Sequence, residues 1–290
     1  MTWVRAGASD GPQIAAFLDK HIDTSMFAAG NLQRYGMDSA APLATRFWMQ
    51  QRQDRLAGVI GVTNAGMILP QDPVAGPADW AAFAAYCPTP LIGCIGPTEQ
   101  VRPCLAALGL TGASMQLDKD EPRFALSLVH LHMPDGPALQ LDPLTDADQD
   151  LFVDWRSAYD VETLGGLMAR ARDKATEEFP QRLIEDNIRL LRSGSQAVAM
   201  TGFNAQLPGI VQIGGVYTPP DLRGQGYARR AVALHLAQAQ TAGVTRAVLF
   251  AANSAAVRAY QAIGFKQTGQ FTLTLFAGPE VPRPQAAPHG

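Results

Sequence analysis

The run VYTPPDLRGQGYARR, from Val216 to Arg230, combines residue types that could hold a phosphate. A strand ending in Val216, Tyr217 and Thr218 enters a turn closed by Pro219 and Pro220. Arg223, Gly224, Gln225 and Gly226 follow, and Tyr227, Ala228 and Arg229 open a helix whose apolar positions Ala228, Ala231, Val232 and Leu236 fall at helical spacing. The first amides of a helix have no partner inside it and carry the positive end of its dipole. Gly224 and Gly226 remove side chains that would keep a ligand off those amides. The backbone could then cradle a diphosphate, with Arg223 and Arg229 adding charge. The plain alternative is a glycine-rich strand-to-helix turn with solvated arginines.

Other residues fall into relation with this loop. Gly214 and Gly215 sit inside the preceding strand, where glycine weakens the ladder and marks a bulge or a close approach. Downstream, Asn253 stands at the end of a strand and Tyr260 seven residues later, about two helical turns, on the same face if Asn253 starts the helix. Taken singly, Asn253 reads equally well as a helix cap and Tyr260 as a core aromatic with its hydroxyl at the rim. His130 and His132 alternate onto one face of an expected strand, but without nearby cysteines or clustered carboxylates a metal site is not expected there.

The elements that position these residues come in two similar sets. The chain divides near the turn-rich cluster Pro134 to Pro137, giving expected domains 1–137 and 138–290. Each half opens with a short extended run, Thr2 to Gly7 or Leu139 to Leu144, and then a capped helix. The caps are Ser9 or Asp10 with Pro12 in the first turn, and Thr145 with Asp148 three residues on. In the first half a hairpin, Arg46 to Gln50 and Leu56 to Thr63, turns at Gln53 and Asp54. Strand Gly66 to Pro70, helix Asp79 to Tyr86, strand Leu91 to Ile95, helix Glu99 to Leu108 and a closing strand Phe124 to His132 follow. The second half reads as helices Asp146 to Leu164 and Glu177 to Arg192, strands Ala197 to Thr201 and Ile210 to Thr218, helix Gly226 to Thr241, strand Arg246 to Phe250, helix Ser254 to Ile263 and strand Phe271 to Phe276. Gly243 and Gly264 stop two of the helices. The pattern predicts an α/β (mixed α+β) fold of two tandem domains, each a mixed, mostly antiparallel sheet flanked by helices.

On these residues the second half resembles the GNAT superfamily of N-acetyltransferases, and VYTPPDLRGQGYA is similar to its glycine acyltransferase-like branch. The superfamily's pyrophosphate signature is matched by Arg223, Gly226 and Ala228, its later Asn and Tyr by Asn253 and Tyr260, and its closing Gly-Phe by Gly264 and Phe265. The match runs over about 139–276, whereas the first half resembles the fold only in element order. At the loop position the first half has Leu69 to Pro77, with no arginine or lysine and three prolines that remove amide donors. It is expected to be a degenerate copy without a coenzyme A loop.

The resemblance implies acetyl-CoA as cosubstrate, bound by Val216 to Thr218, by Arg223 to Arg229 and by Asn253, and direct attack by the amine of a small-molecule acceptor. A backbone N–H between Gly215 and Tyr217 would stabilise the oxyanion, and Tyr260 is the candidate acid for the departing thiolate. Family members often carry a carboxylate on the strand before the loop; Ile210 to Thr218 offers only Gln212 and Tyr217 as sizeable polar side chains. Asp154, Asp160 and Glu162 on the preceding helix are possible bases, directly or through water, and the base stays unassigned. A second departure is that only one strand fits between Leu191 and Thr201, where the family usually has a hairpin.

Composition narrows the remaining classes. With 47% hydrophobic and 17% charged residues, the chain is neither disordered nor collagen-like. A formal charge of −3 gives none of the basic surplus of a dedicated nucleic-acid binder. Apolar runs such as Ala125 to Met133 are too short to span a bilayer and no signal segment opens the chain, so the expected setting is the cytoplasm, as monomer or homodimer, with neither membrane nor nucleic acid as partner. Cys87, Cys94 and Cys104 form no C-x-x-C pair and read as buried thiols. Two rival functions share the loop: a non-catalytic acyl-CoA-binding or sensing module, and an N-acyltransferase using a longer acyl-CoA.

Overall fold

The computed structural model describes residues 2–88 and 90–283. The first half forms β1 (Val4–Arg5), α1 (Gly11–Lys20), α2 (Ile22–Tyr35), β2 (Thr45–Arg52), β3 (Arg55–Thr63), β4 (Met67–Gln71), α3 (Pro77–Ala84), β5 (Leu91–Pro97), α4 (Thr98–Ala107) and β6 (Met115–Ser127). Gln53 and Asp54 join β2 to β3 with positive φ angles of 50° and 56°, the twist a two-residue hairpin turn requires. In α1, with Pro12 in its first turn, Ile14, Phe17 and Leu18 form the buried stripe.

The second half forms β7 (Gln140–Pro143), α5 (Gln149–Leu164), α6 (Met168–Glu185), β8 (Ile188–Ser193), β9 (Gln196–Leu207), β10 (Ile210–Tyr217), α7 (Tyr227–Thr241), β11 (Arg246–Phe250), α8 (Ser254–Gln261) and β12 (Lys266–Glu280). Thr145 and Asp148 form the expected capping box ahead of α5, with the Thr145 amide donating to the Asp148 carboxylate at 3.0 Å.

Contacts divide the chain differently from the composition break at 137. One unit is 1–121 with 269–290, and the other is 122–268. The closing strands account for the difference. Residues 123–127 of β6 pair with β11 in the second unit, while residues 271–275 of β12 pair with β5 in the first. Each half therefore donates its last strand to the other unit's ladder, and the turn at 134–137 lies inside the second unit.

In the first unit the strand order is β1-β2-β3-β4-β5-β12, antiparallel except for β4 with β5. Trp48, Ile60, Val62, Ile68 and Leu91 pack with Trp80, Phe83 and Leu105 of α3 and α4, and Phe47, Val59 and Leu69 pack with α1 and α2. In the second unit the order is β6-β11-β10-β9-β8-β7, antiparallel except for β10 with β11. Val211 and Ile213 of β10 join the cluster under Val232 and Leu236 of α7. Tyr217 joins the opposite cluster with Phe152 of α5 and Phe179 of α6.

Three expectations are corrected. The helix expected to reach Arg192 stops at Glu185, because Asp186 turns left-handed (φ 47°) and Ile188 and Leu190 then alternate inward at strand spacing. This frees residues for a complete β8–β9 hairpin turned at Gly194, so the second half is not short of a strand. Strand β6 begins at Met115 and ends at Ser127; Leu128–His130 is a single 3₁₀ turn, so His130 and His132 do not share a strand face.

Among the described residues no group of His, Cys, Asp or Glu is arranged to hold a metal, and no helix is long and apolar enough to cross a membrane. Cys94 and Cys104 are fully buried free thiols. Cys87 is half-buried, and desolvation pushes its thiol up to about 12.

Candidate functional site

Strands β10 and β11 run parallel through three registers, Ile210–Gln212 against Arg246–Val248, and pair no further. Beyond Gln212 the edge of β10 facing β11 is released from that ladder. On the other edge the β9 register jumps between Gly214 and Tyr217, which takes Gly215 and Val216 off the ladder as well. Gly215 has φ 61° and open space where a side chain would stand. Gly214 is glycine for a different reason: the side chain of Asn204 occupies the place its Cβ would take. A short stretch of backbone is thus exposed for pairing with something other than the sheet.

The chain then turns through Pro220–Leu222 into α7. Gly224 and Gly226 have φ angles of 80° and 78°, a left-handed conformation that side-chain-bearing residues adopt at a cost. Nothing stands within 4 Å of the position a Gly224 side chain would take, and only the Arg229 guanidinium, at 3.4 Å, faces the corresponding position on Gly226. No side chain caps α7, and its first turn closes with Arg230 N–H donating to the Gly226 carbonyl at 3.1 Å. The amides of Tyr227, Ala228 and Arg229 precede that bond and point out of the helix. Gln225 is exposed at the tip, Val216 and Thr218 are half-buried at the strand end, and Tyr227 is half-buried against Leu191 and Val198.

The arginines divide their roles. Arg223 turns away from the helix start: its Nε donates to the Thr218 carbonyl at 2.9 Å, and Nη2 donates to both oxygens of Glu162 on α5, at 3.0 and 2.7 Å. Arg230 reaches back to the Pro137 carbonyl. Arg229 is half-buried beside Gly226, and its Nε has no hydrogen-bond partner among the described residues. Of the two arginines expected to add charge, Arg229 stands beside Gly226 and Arg223 braces the turn.

Asn253 and Tyr260 lie at the two ends of α8. The Asn253 side-chain oxygen accepts from the Ala256 amide at 2.9 Å, which makes it the N-cap of α8 and commits that oxygen to the fold. Tyr260 is buried to 8% exposure with its ring edge-on to Phe265 at 6.0 Å. Tyr217 packs against Trp155 of α5, ring centroids 6.0 Å apart. Burial and the nearby Glu162 raise its hydroxyl above the ordinary phenol range, against the pull of Arg223.

Residues 142–265 match the Acetyltransferase (GNAT) family. Over that stretch the chain is similar to a GNAT acetyltransferase domain. No curated protein sequence matches the chain. Solved structures match almost its whole length: a GCN5-related N-acetyltransferase from Kribbella flavida (18% identity, TM-score 0.56, 92% of this chain and 96% of that one) and a GNAT-family acetyltransferase from Colwellia psychrerythraea (13%, 0.54, 95% and 100%). A tandem GNAT protein from the clavulanic acid biosynthesis pathway also matches (17%, 0.54, 96% and 99%). At these identities the likeness is one of fold.

Within the matched stretch the three carboxylates expected as possible bases are all engaged with cations. Asp154 pairs with Arg172, Asp160 with Arg156 (2.9 Å) and Lys174 (3.2 Å), and Glu162 with Arg223. Gln212, at the last rung before β10 and β11 part, is fully buried, and neither polar atom of its carboxamide has a partner among the described residues. The Glu162 contact was not anticipated: sixty-one residues separate the two groups and neither sits in a motif with the other.

In the first unit, the segment between β4 and α3, which holds the same place in the element order, is filled by its own side chains. Asp79 accepts from the Gly76 amide at 2.9 Å and so closes the start of α3 with a carboxylate. That carboxylate also accepts from Arg52 (2.8 Å) and Gln50 (2.7 Å). Asp72, fully buried, lies over Gly58 and also pairs with Arg52, 3.2 Å; burial pushes its carboxyl up against that pull. Strands β4 and β5 part after two registers, but Pro70 packs on Gly96 there and leaves a cavity of only about 10 Å³.

Proposed function

We propose that the protein is an N-acetyltransferase of the glycine acyltransferase-like branch, moving an acetyl group from acetyl-CoA to the amine of a small molecule. Its catalytic unit is 122–268. The carrying observation is the opening of α7: three outward amides behind two bare left-handed glycines, beside a strand edge that has left its ladder. Such a helix start binds a diphosphate through its amides and dipole.

The amides of Tyr227, Ala228 and Arg229 bind the diphosphate, and the Arg229 guanidinium neutralises part of its charge. The released edge of β10 pairs with the amide-bearing arm of the cosubstrate. When bound, acetyl-CoA supplies the thioester; the amine nitrogen forms its bond to the carbonyl carbon as the carbon–sulfur bond breaks. An off-ladder amide of Gly215 or Val216 stabilises the negative charge on the carbonyl oxygen. Tyr260 gives its proton to the departing thiolate, a transfer about 1.5 pKa units uphill between ordinary values of ~10 and ~8.5. With Asp154, Asp160 and Glu162 all engaged by cations, the acceptor loses its own proton to water.

The first unit is read as a degenerate copy that binds no coenzyme. Its equivalent helix start is occupied by Asp79, whose charge repels a phosphate, and a cavity of about 10 Å³ is too small for the arm.

The test is release of free thiol from acetyl-CoA across a panel of primary amines. Thiol release that needs both an amine and the intact Tyr260 hydroxyl is expected. Saturable acetyl-CoA binding with no amine-dependent release anywhere in the panel would replace this reading with that of a non-catalytic acyl-CoA-binding module.

A further inference from the structure

Beside the loop, on the α5 face of the second unit, lies an open cleft of about 460 Å³. It is lined by Leu151 and Trp155 of α5, by Arg192, Gln196 and Ala197 of the β8–β9 hairpin, and by Pro219, Asp221 and Leu222 of the turn. The volume is that of a small-ligand site. None of the outward amides of α7 lines it, so it is separate from the diphosphate cradle.

The walls are mostly apolar, and Trp155, backed by Tyr217, offers a supported aromatic ring. Charge decides what such a cleft would take. Arg192 is its only cationic lining residue, and each of its three nitrogens is already engaged: Nε faces Asp142 at 3.3 Å, Nη2 donates to Asp148 at 2.6 Å, and Nη1 points to the Ser195 carbonyl at 3.5 Å. Asp221, at the rim, is exposed and makes no hydrogen bond or ion pair among the described residues. One guanidinium is thus set against three carboxylates, one of them free. An anion would be repelled by the Asp221 charge and would meet a guanidinium already paired with two carboxylates, whereas a cation would meet a free carboxylate and an aromatic face.

We propose that this cleft is a binding site for an organic ammonium ion carried on an aromatic or alkyl body. The apolar body lies against Leu151, Trp155 and Leu222, and the ammonium is held by Asp221. The site stands on the cleft's own chemistry and is independent of the acyl-transfer reading.

The experiment is calorimetric titration of the full chain with 2-phenylethylammonium, beside 3-phenylpropionate, which has the same body with an anion, and ethylammonium, which lacks the ring. One site per chain for 2-phenylethylammonium is expected, with at least tenfold weaker binding of the other two. Asp221→Asn should weaken the first at least tenfold, and because Asp221 is exposed and unpaired its melting temperature should match the parent. Saturating coenzyme A should leave the affinity within a factor of about two. The proposal is overturned by absent binding, by equal binding of the propionate, by an unchanged Asp221→Asn, or by displacement with coenzyme A, which would put the probe in the cosubstrate channel.

Discussion

The Arg223 guanidinium donates to both carboxylate oxygens of Glu162, at 3.0 and 2.7 Å, and to the Thr218 carbonyl at 2.9 Å. The arginine that opens the phosphate-loop signature therefore ties the loop to α5. Both partners are about half exposed, so the pair contributes under about 1 kcal/mol to stability. Its larger effect is electrostatic, since Glu162 holds the Arg223 guanidinium away from the helix start and offsets its positive charge. Glu162→Gln should tighten acetyl-CoA binding severalfold at low ionic strength, and the gain should vanish near 0.5 M salt. Titrations at two salt concentrations check this.

Gly226 has φ 78° and sits directly before the first outward amide. A valine there would meet both the left-handed penalty and its β-branch, and would project into the phosphate's approach. Gly226→Val should remove acetyl-CoA binding while the circular dichroism spectrum stays that of the parent. Parent-like affinity in a folded Gly226→Val would show that the phosphate binds elsewhere.

That loop was readable from sequence because its signals are local. A strand, a proline-closed turn, spaced glycines and a helical stripe lie within one run, and the observed bounds of β10, α7 and β11 depart from the expected ones by a residue or less. Features set by distant partners were not readable. The pairing of β6 with β11 and of β12 with β5 depends on residues over a hundred positions apart. Arg223 finds Glu162 across 61 positions. The β8 error has a local cause: Leu183, Ile184, Ile188 and Leu191 also suit a helical period, and only the left-handed turn at Asp186 divides them.

Tyr260 is nearly buried against Phe265, and its hydroxyl is the proposed proton donor to the leaving thiolate. Tyr260→Phe keeps the ring and its packing. Turnover should fall by roughly 10²–10⁴ with acetyl-CoA affinity within a few fold of the parent. Steady-state kinetics beside a binding titration separates the two quantities, and an unchanged turnover would remove Tyr260 from the chemistry.

His235 of α7 is 2% exposed and stacks on Phe203 with ring centroids 3.8 Å apart. Desolvation, helped by the charge of Arg189, lowers its pKa to about 3. The unfolded chain takes up this proton near pH 6.5 and the folded chain does not. Its contribution is therefore constant above pH 6.5 and falls as pH drops towards 3, by at most about 1.4 kcal/mol per pH unit. The melting temperature of the parent should decline over that window more steeply than that of His235→Leu. Parallel declines would mean that His235 is protonated in the folded protein.

The difference between the two units bears most directly on a single measurement, calorimetric titration of acetyl-CoA into the full chain. The open helix start of α7 and the closed start of α3 together predict one site per chain, with a dissociation constant near the micromolar range, about −8 kcal/mol. No binding would reduce the loop to a turn, and two sites per chain would contradict the reading of the first unit as a degenerate copy.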